Sequence, residues 1–123
     1  AVILCSPNNP TGTSLTEKEV RDFLAEIPPS VLVVLDEAYF EFDTLKGHVD
    51  GARLLAEFSN LLVLRTFSKA YGLAGLRCGY GLASQEIAQA ILKVSTPFAL
   101  SAVAEACAVA ALADEQKMRC QVQ

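Results

Sequence analysis

Three short apolar runs, residues 2–5, 31–35 and 61–64, constrain the fold of this chain more than any other feature. Each is nearly continuous and rich in branched residues. A half-exposed strand would alternate apolar with polar positions, so unbroken runs of this length read as strands covered on both faces. Between the first two lies Thr16-Glu17-Lys18-Glu19, a capping-box pattern, followed by Val20, Phe23, Leu24 and Ile27 at helical spacing and stopped by Pro28-Pro29. Between the second and third, residues 50–58 place Leu54, Leu55 and Phe58 on one face and predict a short crossover helix. Alternation of strand and helix in this order predicts α/β architecture, a mostly parallel sheet with crossover helices.

A fourth apolar segment, residues 78–83, follows the loop that carries Lys69 too closely for another crossover helix. From Ser84 the pattern turns helical, with Ile87, Ala88, Ile91 and Leu92 in phase. After Pro97 an alanine-rich helix is expected from about Ser101 to about Met118, with a polar end and no stop signal. With 123 residues, 52% hydrophobic and 20% charged, there is apolar material for the core of one ordinary domain.

The net charge of -4, without any run of Lys or Arg, argues against a nucleic-acid footprint. No apolar stretch approaches the ~20 residues of a bilayer span, and residues 1–4 are too short for a signal-peptide core, so a soluble, cytoplasmic chain without a membrane partner is expected. Cys5, Cys78, Cys107 and Cys120 are widely spaced and have only His48 as an imidazole companion, which favours scattered reduced thiols over a metal site.

Each of the three runs leads directly into a polar motif: Cys5-Ser6-Pro7-Asn8-Asn9-Pro10-Thr11-Gly12, Asp36-Glu37-Ala38-Tyr39-Phe40-Glu41-Phe42, and Thr66-Phe67-Ser68-Lys69-Ala70-Tyr71-Gly72-Leu73-Ala74-Gly75-Leu76-Arg77. Ligands of open parallel sheets gather at the carboxyl ends of the strands, where loops present unpaired N–H groups. Asn9, Asp36, Tyr39, Ser68, Lys69 and Arg77 are therefore expected to converge on one ligand. An amine that condenses with an aldehyde must be fixed in place, partly buried and close to other cations, and Lys69 has a serine before it and an arginine along the same turn.

Taken singly, each of these residues has an ordinary structural use. Lys69 reads as a surface charge, Asp36 as a strand-end cap, Asn8 to Gly12 as a turn, Tyr39 as a core aromatic and Arg77 as an ion-pair partner. Their joint occurrence outweighs those uses. His48 and the Glu41/Asp43 pair read as solvated. Ser68 lacks a G-x-S-x-G elbow, and Gly72, Gly75 and Gly79 fit neither a dinucleotide nor a P-loop pattern; they are expected to let the lysine loop pass close to its neighbours.

The three motifs, in this order and spacing, resemble the fold-type I pyridoxal-phosphate aminotransferases of class I and II, most closely their histidinol-phosphate aminotransferase branch. The resemblance implies pyridoxal 5'-phosphate as cofactor and residues 78–83 running antiparallel. It assigns Lys69 the imine and the proton transfer, Asp36 the ring nitrogen, Asn9 and Tyr39 the phenolic oxygen, and Ser68 and Arg77 the phosphate. It further implies amino transfer between histidinol phosphate or a similar donor and 2-oxoglutarate or glutamate, in a homodimer. Residues 1–123 would form the central part of a larger cofactor-binding domain, with an N-terminal part and a small domain lying outside them. Aspartate, aromatic and alanine aminotransferases and a threonine-phosphate decarboxylase carry the same motifs, and a non-catalytic α/β module retaining them is the competing reading.

Overall fold

The computed structural model describes residues 1–122. Four strands, β1 (Val2–Cys5), β2 (Val33–Asp36), β3 (Leu61–Thr66) and β4 (Gly79–Ala83), form one sheet in the order β1-β2-β3-β4. The first three are mutually parallel, and β4 runs antiparallel to β3. Because β1 to β3 point the same way, Cys5, Asp36 and Thr66 deliver the three polar motifs to one edge of the sheet.

Helix α1 (Glu17–Glu26) connects β1 to β2 and begins where the sequence marks it. Thr16 Oγ1 accepts from the Glu19 N–H at 3.3 Å, and the Thr16 N–H donates to Glu19 Oε2 at 2.8 Å, so two of the helix's unpaired donors are satisfied reciprocally. Val20 and Leu24 project from α1 onto Val33, Leu35, Leu61 and Val63, and Val49 and Leu54 complete this core. Burial of each such side chain contributes about 1.5–3 kcal/mol. Period-two alternation puts residues 33, 35, 61 and 63 on one face of the sheet. The opposite face is less covered than the apolar runs predict: Ile3, on β1, is 72% exposed.

The crossover between β2 and β3 is not the expected helix. It is a 3₁₀ turn, Gly51–Arg53, followed by non-helical turns. Leu54 is still fully buried, with Leu55 and Phe58 packed beside it, so the apolar face was identified correctly and its backbone was not. A segment this short that opens on glycine is a poor helix nucleus, and polar ties hold its start: the Gly51 N–H donates to the buried Glu37 carboxylate at 2.7 Å, and Asp50 caps Ala52.

Helix α2 (Gln85–Val94) starts at the Ser84 cap, and α3 (Ala102–Ala113) at Ser101, whose Oγ accepts from the Ala104 N–H at 3.1 Å. Ala104 and Ala108 bury against Phe67 and Cys78, which seats α3 on the lysine loop. The single alanine-rich helix predicted from the sequence is interrupted at Asp114. There φ is -107° and ψ 65°, and the Asp114 carboxylate accepts from the Lys117 N–H of α4 (Glu115–Val122). Aspartate competes in this way for backbone donors and favours caps over helix interiors. Among the described residues, no helix is long and apolar enough to cross a membrane.

Candidate functional site

The loop after β1 is tied to β2 at its root. The Ser6 N–H donates to the Asp36 carbonyl at 3.0 Å, and the buried Ser6 Oγ accepts from the Leu15 N–H at 2.9 Å. Asn8 then closes a tight turn, accepting from the Gly12 N–H at 2.7 Å. The turn carries Asn9 across to β2's loop, where Asn9 Nδ2 donates to Tyr39 Oη at 2.9 Å, although the two are 30 residues apart in sequence. Lys69 Nζ lies 5.1 Å from the centroid of the Tyr39 ring, bringing the third loop to the same place.

Asp36 ends β2 opposite Cys5 on one side and Leu64 on the other. One of its carboxylate oxygens accepts from the Ala38 N–H at 3.0 Å. Asp36, Thr66, Ser68, Lys69 and Arg77 line a cavity of about 320 Å³. Asn9 and Tyr39 instead line a neighbouring cavity of about 860 Å³ that extends toward Asp43 and Lys46. The six expected residues thus occupy one sheet edge but two adjoining cavities, joined at the Tyr39–Lys69 contact.

Ser68 is held by its N–H, which donates to Thr66 Oγ1 at 3.1 Å, while Thr66 Oγ1 in turn donates to the Cys78 carbonyl at 3.3 Å. Phe67 anchors the same loop from behind, packing against Tyr71 and Tyr80. Gly79 passes so close to β3 that a Cβ there would lie 2.8 Å from the Arg65 carbonyl, in line with the expected close approach; Gly75 faces open space and serves no such purpose. Lys69 is exposed at its loop tip rather than partly buried. Arg77, in the left-handed region at φ 52°, turns one guanidinium N–H back onto the Ala74 carbonyl at 2.9 Å.

Behind this edge lies a charged group that the motif reading passed over. Glu37 is fully buried; its Oε2 accepts from Arg65 Nε at 2.8 Å, and Arg65 Nη2 reaches Asp50 Oδ1 at 2.7 Å. The Phe40 ring sits under the guanidinium, 3.8 Å from its carbon to the ring centroid. Burial pushes the Glu37 carboxyl above the usual glutamate range, and the Gly51 N–H and the Arg65 charge act against that rise. The signal was present in the sequence: Glu37 and Arg65 continue the inward phase of Leu35 and Val63. His48, assigned no role, packs edge-on against Phe40 with centroids 5.4 Å apart.

A sequence profile of the family described as aminotransferase class I and II matches residues 1–123. The chain is 53% identical over 119 residues to histidinol-phosphate aminotransferase 2 of Carboxydothermus hydrogenoformans, a match covering 96% of this chain and 33% of that protein. It is 50% identical over 117 residues to an aromatic amino acid aminotransferase of Cutibacterium acnes, covering 95% of this chain and 33% of the relative. Among solved structures, the histidinol-phosphate aminotransferase of Sinorhizobium meliloti in complex with pyridoxal-5'-phosphate superposes with a TM-score of 0.91 at 39% identity, over 98% of this chain and 33% of that one. The chain thus spans about a third of the length of the relatives it matches.

Proposed function

The chain belongs to the class I and II aminotransferases, and from that premise we propose that it forms part of the cofactor-binding domain of a pyridoxal-phosphate enzyme that moves an amino group between histidinol phosphate, or a similar donor, and a 2-oxo acid. The observation that carries this reading is the convergence of Asn9, Tyr39 and Lys69 from loops that follow different strands. A lysine that was only a surface charge would have no reason to meet them.

The donor set fits the cofactor. It offers a carboxylate for a protonated ring nitrogen, a hydroxyl and an amide for a phenolic oxygen, and a serine with an arginine for a phosphate. In this reading Asp36 holds the ring nitrogen, Asn9 and Tyr39 hold the phenolic oxygen, and Ser68 and Arg77 hold the phosphate, the arginine through charge-assisted hydrogen bonds. Bound there, pyridoxal phosphate supplies a carbonyl that condenses reversibly with amines and a ring that accepts electrons. Lys69 Nζ would hold it and, once displaced by the amino donor, would serve as the base that carries a proton from the donor's α-carbon to the cofactor's carbonyl carbon. Tyr39, bonded to Asn9 and beside Lys69, keeps the amine in place.

A homodimer working in the cytoplasm belongs to the same reading. Exposed apolar residues on α2 and α3, including Leu92, Val94, Val103 and Val109, support a further surface packed against them. The enzyme, supplied with pyridoxal phosphate and 2-oxoglutarate, is to be incubated in turn with histidinol phosphate, an aromatic amino acid and threonine phosphate. Glutamate formation with histidinol phosphate as the preferred donor is expected. Preference for the aromatic donor would move the substrate, and carbon dioxide release from threonine phosphate without glutamate would overturn amino transfer.

A further inference from the structure

The hydrogen-bonded ladder between β2 and β3 runs out at the Asp36–Leu64 pair, with the Glu37 N–H donating the last bond to the Leu64 carbonyl at 2.9 Å. Beyond that point the two motif loops diverge, and backbone pairing no longer fixes their spacing. The Glu37–Arg65–Asp50 group takes over at this position. Alternation along the strands puts Asp36 on the cavity side and Glu37 on the core side, so the residue next to Asp36 is gripped from behind. Arg65 lies on β3 a few residues before Ser68 and Lys69, and Phe40, which stacks on its guanidinium, directly follows Tyr39.

We propose that Glu37, Arg65 and Asp50 form a positioning network that sets the separation of Asp36 and Tyr39 from the Lys69 loop. Glu37 and Asp50 lie outside the cavity and act through the residues that line it, and Arg65, which borders it beside Asp36 and Lys69, links the two sides. The inference rests on the cofactor site described above. Both Glu37 oxygens are taken, by the Gly51 N–H at 2.7 Å and by Arg65 Nε at 2.8 Å, and Arg65 Nη2 reaches Asp50 at 2.7 Å. No buried side-chain nitrogen or oxygen among the described residues lacks a partner. A network satisfied in this way has one low-energy arrangement, and such rigidity is what a site needs when a displacement of about 1 Å costs on the order of a hundredfold in rate.

Four variants test this: Glu37→Gln, Arg65→Met, Arg65→Lys, and Leu54→Ala as a core change on the same face of the sheet. For each, three quantities are measured: the melting temperature without cofactor, the affinity for pyridoxal phosphate by absorbance titration, and the pH at which the absorbance of the bound cofactor changes. Glu37→Gln and Arg65→Met are expected to weaken cofactor binding by about tenfold and to shift that pH, with Arg65→Lys recovering part of both. Leu54→Ala is expected to lower the melting temperature while leaving the cofactor readouts unchanged. The inference is overturned if Glu37→Gln and Arg65→Met bind within about twofold of the parent with an unshifted spectrum, or if affinity merely follows melting temperature across all four. A parent protein that binds no cofactor through Lys69 would overturn the site itself, and this inference with it.

Discussion

Gly51→Ala should be far more damaging than its size implies. A methyl carbon at Gly51 would lie 2.7 Å from Val63 Cγ2, 2.8 Å from Leu35 Cδ2 and 3.1 Å from Glu37 Oε1. Val63 and Leu35 are fully buried, and Val63 is β-branched, so neither can swing aside without disturbing β2 or β3. Overpacking of this kind costs about 1–3 kcal/mol. The methyl also presses on the carboxylate that the Gly51 N–H serves at 2.7 Å, and loosening a hydrogen bond to a charged group costs about 1.5–3 kcal/mol. Both effects arise from one displacement and are not additive, so the expected loss is about 2–4 kcal/mol, or roughly 8–16 °C in melting temperature for a domain of this size. Urea and thermal unfolding are to be compared with Gly75→Ala, where the new methyl meets nothing within 4 Å and a change within about 0.5 kcal/mol is expected. A Gly51→Ala protein within about 0.5 kcal/mol of the parent, or no worse than Gly75→Ala, would refute the reasoning.

Other changes probe other levels of the structure. Leu54→Ala, at a fully buried position of the main core, should cost about 2–5 kcal/mol in urea unfolding with the slope unchanged. Thr16→Ala removes the cap of α1 and should cost about 1 kcal/mol by the same assay. The Thr16 backbone N–H, and after it the hydroxyl, hold the Glu19 carboxyl below the usual glutamate range. A lowered folded-state pKa gives stability that is complete above the ordinary glutamate value and lost as pH falls through the lowered one, so Glu19→Gln should flatten the acid limb of the stability curve below the ordinary glutamate value of about 4.3. An unchanged acid limb would contradict the reciprocal cap. Ser101→Ala should cost about 1 kcal/mol and loosen α3 from Phe67, read as faster amide exchange in the first turn of α3.

Local chemistry made much of this fold legible. Thr16 and Glu19 mark the start of α1 because a capping box is satisfied within four residues, and the parallel order of β1 to β3 follows from apolar runs separated by long connections. What was not legible depended on partners distant in sequence. β3 continues past Leu64 to Thr66 because β4 pairs with Arg65 and Thr66, an extension that an apolar run cannot show. Residues 50–58 kept their apolar face but not a helical backbone, since a segment this short that opens on Gly51 has little to nucleate a full helix. Asp114 broke the alanine-rich segment by capping the next helix. At the site, the motifs located all six residues on one edge, yet not their division between two cavities, nor the exposure of Lys69. The Glu37–Arg65 pair was missed because a charge in an inward phase is recognisable only once its partner's phase is known.

The most direct test of the site is reduction of the protein with borohydride in the presence of pyridoxal phosphate, followed by peptide mapping. Reduction converts an imine to a stable secondary amine and so records which lysine carried the cofactor. Labelling concentrated on Lys69, and lost in Lys69→Ala, is the expected result. Absent labelling, or labelling spread over Lys18, Lys46, Lys93 and Lys117, would contradict it.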